Sequence, residues 1–439
     1  MSRKFAALVE FGLVAMAVFA PRSAAQNVIL ISIDTLRADH LHCYGYRLET
    51  SPNLDRLAHE GVRFADAYTT IPLTLPAHTA IMTGELPARS GVEDYTSRLS
   101  PRGPATLAEL LRAHGFATAA VVAAPVLDHR FGLSRGFDVY EDQIAPITLE
   151  GLNWVPKRLA GDGVNRALAW IKTHWERKFF FWLHLYDPHR PRWAPAPIAA
   201  EFQSPYDAEI AYADHEVGRL LDGLRTMGLY AKTIIAVVAD HGESLGEHGE
   251  STHGFFVYRA TLRVPLILRL PAGQDVEARG QVIHTNVANF DLFPTILELE
   301  HVALPPNIDA ASLLPLLGAH FPASGGGWGR AVYAESELPY LHYGWSDLRT
   351  IIASHYQYIL APRPELYDLA QDPREVHNLA GSDLALADTL RGRLLSLQAH
   401  ALAGPRGATG HRPMAHCASF RPSRCRCADG RGRGPVAAQ

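Results

Sequence analysis

Cysteine is scarce: the 439-residue chain has four. Cys43 stands alone, while Cys417, Cys425 and Cys427 fall together near the C-terminus. That excludes a disulfide framework, and the spacing matches no zinc pattern, so all four are read as unpaired thiols. A bilayer-spanning run is also missing. The apolar stretch Phe5–Ala20 contains Glu10 and is shorter than the roughly 20 residues a span needs. An excess of one charge sign is absent too, with 41 Lys and Arg against 45 Asp and Glu. From residue 401 onward seven arginines face one acid, Asp429, so the preceding chain is distinctly acidic. A body of that sign is poorly suited to a nucleic-acid backbone, and no nucleic-acid partner is expected. No internal repeat is visible.

What is present is ordinary globular composition, 47% hydrophobic and 20% charged. Arg3 and Lys4, the short apolar stretch and Ser23-Ala24-Ala25 read as a secretory signal over 1–25, implying a secreted or periplasmic protein. Near-continuous apolar runs at 28–33, 119–123, 178–185, 233–239 and 264–268 alternate with helical patterns near 104–114, 162–175, 205–227 and 287–299. Runs of this kind suit parallel strands covered on both faces, and the alternation predicts a doubly wound, mostly parallel α/β sheet over 26–324. Short strand-like runs at 331–335, 348–353 and 356–361, then a helix at 383–402, predict a smaller C-terminal α+β subdomain over 325–402. Residues 403–439 are rich in Gly, Pro and Arg and are expected to be a disordered basic tail.

Ligands of open α/β sheets bind beyond the carboxyl ends of the strands. Three predicted strand ends carry reactive side chains: Asp34; His184, with Tyr186-Asp187-Pro188-His189 just beyond; and Asp240-His241-Gly242-Glu243. Together they suggest one site. A fourth element, Thr74-Leu75-Pro76-Ala77-His78-Thr79-Ala80-Ile81-Met82-Thr83-Gly84, reads as a helix with Pro76 in its first turn and Gly84 ending it. Thr74 is then either a helix cap or a hydroxyl placed where an anion is favoured. Two aspartates, a histidine and a threonine oxygen form a mostly hard ligand set. It suits one divalent ion, Ca²⁺, Mg²⁺ or Mn²⁺, with Zn²⁺ also compatible. An ion on a threonine hydroxyl would make it nucleophilic toward a tetrahedral oxyanion ester.

The segments NVILISIDTLRADHLHCYGY (27–46), TLPAHTAIMTG (74–84), ADHGESLGEHG (239–249) and RVPLIL (263–268) resemble the sulfatase branch of the alkaline phosphatase superfamily. Leu366-Tyr367-Asp368-Leu369, Asp372-Pro373 and Asn378-Leu379 resemble the usual ending of bacterial sulfatases. The resemblance runs in one order from about 27 to 380. It implies metal ligands at Asp34, Asp240 and His241, a nucleophile at Thr74 that also touches the metal, and substrate contacts at His184 and His253. His253 sits where many members carry a lysine. His189 and His248 are further candidate contacts, and Arg37 and Asp39 could pair behind the site.

Two departures stand out. Ordinary sulfatases have Cys or Ser, matured to formylglycine, with an arginine four residues on; those positions are Thr74 and His78 here. Threonine has no route to that aldehyde, so no formylglycine is expected, and His78 takes a catalytic position. The second aspartate of the family's ligand set is Thr35. The resulting expectation is a metal-dependent hydrolase of small-molecule, glycan or lipid sulfate or phosphate esters, acting through Thr74. The ion would be Ca²⁺ for sulfatase-type chemistry, and Mn²⁺, Mg²⁺ or Zn²⁺ for phosphoryl transfer. Alternatives are a phosphodiesterase or phosphonate monoester hydrolase, a phosphoryl transferase, and, in another class, an inactive binding protein on the same fold.

Overall fold

The structure is a computed structural model that describes residues 27–149, 152–271, 279–317 and 330–402. The expected leader (1–25) and basic tail (403–439) lie outside the described residues. No helix among the described residues is long and apolar enough to cross a membrane.

The main sheet comprises β1 (Asn27–Ile33), β2 (Val62–Tyr68), β3 (Ala117–Val121), β4 (Val139–Glu141), β5 (Phe179–Leu185), β6 (Thr233–Val238), β7 (Arg263–Arg269), β8 (Gln281–Ile283) and β9 (Val287–Ala288). Its order is β8-β2-β7-β6-β1-β5-β3-β4, with β9 also paired to β2. The strands pair in parallel except at β7, which runs antiparallel to both β2 and β6. The apolar run at 264–268 was expected as one more parallel strand. The connection from β6, residues 239–262, is long enough for a parallel crossover but holds only short turns and the short helix Arg259–Leu262, without the long helix that usually carries the chain back across a sheet.

Every residue of β1, β5 and β6 is buried, which explains their unbroken hydrophobic character. Helices pack in two sets. Ala160–His174 and Pro52–Glu60 contact Pro205–Thr226, while Thr74–Thr83, Leu107–Ala113 and Leu292–Leu299 contact one another. Strand β2 reads VRFADAY and escaped the sequence reading because Arg63 and Asp66 interrupt its apolar pattern, and both are only half-buried. The hairpin Pro146–Leu149/Leu152–Pro156 was likewise not anticipated. The helix expected over 287–299 begins only after β9 and a short turn, at Leu292.

Toward the C-terminus β10 (Ala331–Ser336), β11 (Leu348–Ala353), β12 (Tyr356–Leu360) and β13 (Glu365–Asp368) form an antiparallel meander, as the short strand-like runs predict. The helix Leu384–Leu402 lies against it, burying Leu390 and Leu394 with Ala334, Ile352, Tyr358 and Leu366. Ser336 and Leu338 of this segment touch Gly254 and Leu73 in the loops of the main sheet.

Candidate active site

Strand register places the reactive residues. β1 sits between β5 and β6, with Ser32 opposite His184 on one side and Val238 on the other. Asp34 follows β1 directly, its N–H bonded to the Leu185 carbonyl at 2.9 Å. Asp240 and His241 lie just past β6, so three adjacent strand ends bring Asp34, His184, Asp240 and His241 together, all fully buried.

The potential ligand atoms of Asp34, Asp240 and His241 all lie within 4.8 Å of one another. Asp34 Oδ1 and Asp240 Oδ2 are buried without a hydrogen-bond partner. Burial raises Asp34, but the hydrogen bond from His184 Nε2–H to its Oδ2 (3.4 Å) and the nearby His189 and His241 hold it well below the usual carboxylate range. Burial and then the Asp34 charge push Asp240 well above that range. Two carboxylates this close in a dry interior do not both ionise without a cation. The orphaned oxygens and the donor set therefore fit a divalent ion.

The His241 ring is fixed in one tautomer. Its Nδ1–H donates to the Gly242 carbonyl at 2.8 Å, which leaves the Nε2 lone pair free. Burial pushes this imidazole down to about 4. The Thr74 hydroxyl donates to that Nε2 across 3.3 Å. Leu73, not Thr74, holds the N-cap position, and Thr74 is the first helical residue, so its hydroxyl is not spent as a cap. Gly84 does end the helix, at φ 70°.

His78 is fully buried, 3.5 Å from Asp240 Oδ2 and bonded in a chain. Trp182 Nε1–H donates to Ser32 Oγ (2.9 Å), Ser32 Oγ–H to His78 Nε2 (3.0 Å), and His78 Nδ1–H to the Thr74 carbonyl (2.8 Å). This chain fixes a neutral tautomer, consistent with burial pushing the ring down to about 3. His78 thus grips the backbone of Thr74.

His184 Nδ1 accepts from the Ala123 N–H at 3.1 Å, which directs its Nε2–H at Asp34. His253 packs on His241 with ring centroids 4.2 Å apart, and its Nδ1–H donates to the Pro72 carbonyl. His189 Nδ1–H donates to the Arg190 carbonyl, and the Nε2 atoms of His189 and His253 face each other at 3.3 Å. With both Nδ1–H groups committed, these facing nitrogens need a shared proton or a donor from substrate. His248, by contrast, stacks on Tyr258 at 3.6 Å.

Several supporting residues carried no sequence signal. Asn289 Nδ2 donates to the Asp240 carbonyl (3.0 Å), fixing the end of β6. Lys157 is fully buried and donates to the carbonyls of Asp187, His189 and Pro191 while pairing with Glu209, so it holds the loop bearing His189. Thr35 adopts φ 55°, unfavourable for a β-branched residue, and its N–H donates to Asp240 Oδ1 at 3.2 Å. In place of a second carboxylate, position 35 supplies a backbone donor. Arg37 does pair with Asp39 (2.8 Å), and also with Glu247 (2.7 Å), while donating to the Glu243 carbonyl.

Comparison with known proteins then decides the family. The sequence profile described as Sulfatase matches residues 26–302. The chain belongs to the sulfatase family. That places it among the sulfuric ester hydrolases. A second profile, N-sulphoglucosamine sulphohydrolase, C-terminal, matches residues 246–400. Among curated relatives, the N-acetylglucosamine-6-O-sulfatase of Bacteroides thetaiotaomicron is 25% identical, the match covering 81% of this chain and 82% of the relative. Arylsulfatase A of Homo sapiens is 27% identical over 81% of this chain and 83% of its own. Among solved structures, one in complex with its substrate D-glucosamine-2-N,6-O-disulfate superposes with a TM-score of 0.71 at 22% identity, covering 86% of this chain and 98% of that one. The phosphonate monoester hydrolase of Agrobacterium radiobacter gives 0.71 at 21% identity over 86% and 96%. These likenesses establish the fold of a sulfatase-family member.

Proposed function

We propose that this protein cleaves sulfate esters, or related phosphate esters, through a covalent ester on Thr74. One observation carries the reading: the Thr74 hydroxyl meets His241 beside the paired carboxylates Asp34 and Asp240. Those three residues, with the Thr74 oxygen, would hold one divalent ion, Ca²⁺ for a sulfatase-type site and Mn²⁺, Mg²⁺ or Zn²⁺ for phosphoryl transfer. When bound, such an ion supplies a lowered pKa at the hydroxyl and neutralising charge for the transferring group.

The protein's own groups account for the rest. Thr74, held by its carbonyl through His78, presents its oxygen to the sulfur or phosphorus. A bond forms between that oxygen and the central atom as the bond to the substrate's alcohol oxygen breaks, and the proton given up by the Thr74 hydroxyl departs on the alcohol. His184 and the His189–His253 pair lie beside the remaining oxygens, and the two facing Nε2 atoms, on rings that burial lowers to about 4 and about 3, would relay the Thr74 proton to the leaving oxygen. Water then attacks the threonine ester, restoring the hydroxyl and releasing sulfate or phosphate with a proton.

The sulfatase relatives favour a sulfate ester. The phosphate reading is favoured by Thr74 itself, which keeps an unmodified hydroxyl where ordinary sulfatases present formylglycine. A leader ending at Ala25 would put the reaction in a secreted or periplasmic setting. The test is a side-by-side assay of aryl sulfate, phosphate monoester, phosphodiester and phosphonate ester on wild type and Asp240→Ala. Turnover of a sulfate or phosphate ester that Asp240→Ala abolishes supports the reading. Turnover of none overturns it.

A further inference from the structure

An aromatic surface lies open beside the reactive group. Phe255, two residues beyond His253, meets Tyr343 (ring centroids 5.4 Å, 41° between planes) and Trp345 (6.1 Å, 46°), and Tyr343 meets Trp345 (5.2 Å, 34°). Trp345 is 61% exposed, Tyr343 55%, and Tyr340, on the same short helix Leu338–Tyr343, 43%. A cluster of large rings left in water marks an interaction site more than a packing defect.

The cluster is anchored to the catalytic segment. Leu338, which opens the short helix, is buried with Ile71, Leu73 and Ala77, and Phe255 packs against that group. Ser336 donates through its hydroxyl to the Gly254 carbonyl. Gly254 has φ +103°, and a Cβ there would come within 2.9 Å of Leu73 and 3.1 Å of Leu338, so loop and helix touch where only glycine fits. The aromatic surface is therefore attached both to the residue preceding Thr74 and to the loop bearing His253. Its border is polar: Arg349 pairs with Glu337, which precedes the helix, and with Asp347, two residues past Trp345.

We propose that Tyr343 and Trp345 form a sugar platform for the pyranose ring adjoining the esterified residue of an oligosaccharide substrate. The proposal rests on the ester-cleaving reading above and adds the organic part of the substrate. An alkyl chain or a steroid gains from apolar walls on all sides. Rings tilted apart and more than half exposed instead suit an amphipathic partner. A pyranose lays its C–H face on such rings while its hydroxyls stay hydrated or meet Glu337, Asp347 and Arg349.

The experiment compares wild type, Trp345→Ala, Tyr343→Ala and Trp345→Phe on a singly sulfated N-acetylglucosamine tetrasaccharide and on nitrophenyl sulfate. Losing an aromatic anchor should lower kcat/KM on the tetrasaccharide about tenfold or more, mainly through KM. Nitrophenyl sulfate, which lacks the adjoining pyranose, should be turned over as by wild type, and Trp345→Phe should recover most of the loss. Equal losses on both substrates, or none on the tetrasaccharide, would overturn the platform. Calorimetric binding of the unsulfated tetrasaccharide gives a readout free of chemistry. Binding that Trp345→Ala abolishes supports the platform even if no ester is cleaved, in which case the ester-cleaving reading alone fails. No binding to wild type overturns the platform.

Discussion

The Thr74 hydroxyl lies 3.3 Å from His241 Nε2, and the opposite nitrogen of that ring is already committed to the Gly242 carbonyl. The two residues are 167 positions apart in sequence. One is the first residue of a buried helix and the other follows a central strand, so the pair is held by two fully buried elements. Removing the hydroxyl deletes this contact without opening a large cavity. Thr74→Ala should therefore remain folded, with Tm near wild type by calorimetry, yet lose about 10⁴-fold or more in turnover, as covalent catalysts do without their nucleophile. Thr74→Ser keeps the attacking oxygen and should retain measurable activity.

Asp240 is the carboxylate of the pair whose ionised form is disfavoured more. Its raised pKa arises from burial and then from Asp34, so a bound cation should stabilise the fold by relieving that repulsion. Elemental analysis should find metal in wild type and little in Asp240→Asn. In the presence of chelator Asp240→Asn should melt no lower than wild type, whereas added metal should raise the Tm of wild type alone.

How much of this was legible in the sequence varied with the kind of signal. Asp34, His184 and Asp240-His241 were readable because each follows or ends an apolar run long enough to be a buried strand, and adjacent strands put those ends side by side. The hydroxyl–imidazole contact and the His78 chain were not readable, since both depend on how the helix Thr74–Thr83 is set against the sheet. The position of His78 suggested a catalytic group; from its bonds to Ser32 and the Thr74 carbonyl we propose that it positions Thr74. Lys157 and Asn289 escaped because a single buried polar residue has no periodicity or spacing to betray it. The antiparallel course of β7 escaped for another reason: strand direction is set by the path of the connection, here without a long crossover helix, and not by the run itself.

His78→Ala tests that positioning role. It leaves the Ser32 hydroxyl hydrogen without its acceptor in a dry interior, which should cost about 1–3 kcal/mol, and deletes the side-chain bond to the Thr74 carbonyl. A lower denaturation midpoint together with reduced kcat, but with metal content near wild type, is the expected combination.

Glu375 offers a pH test at a residue outside the ligand set. It is buried, accepts from the Arg259 N–H at 2.8 Å, and burial raises its carboxyl to about 8. Between the ordinary glutamate value and about 8 the folded protein holds a proton that the unfolded chain has released, so this group makes stability fall as pH rises through that window. The steepest slope from one such group is about 1.4 kcal/mol per pH unit. Glu375→Gln should flatten this part of the profile and raise the alkaline denaturation midpoint relative to wild type.

The central claim is that Thr74 carries the transferred group. The most direct measurement is rapid acid quenching of the enzyme during turnover of an activated aryl ester, followed by mass spectrometry of the peptide containing Thr74. The account predicts that residue unmodified in the resting protein and bearing one sulfuryl or phosphoryl group in the quenched sample, with no adduct in Thr74→Ala. Turnover by Thr74→Ala at the wild-type rate, with no adduct on either protein, would contradict it and make water the direct nucleophile.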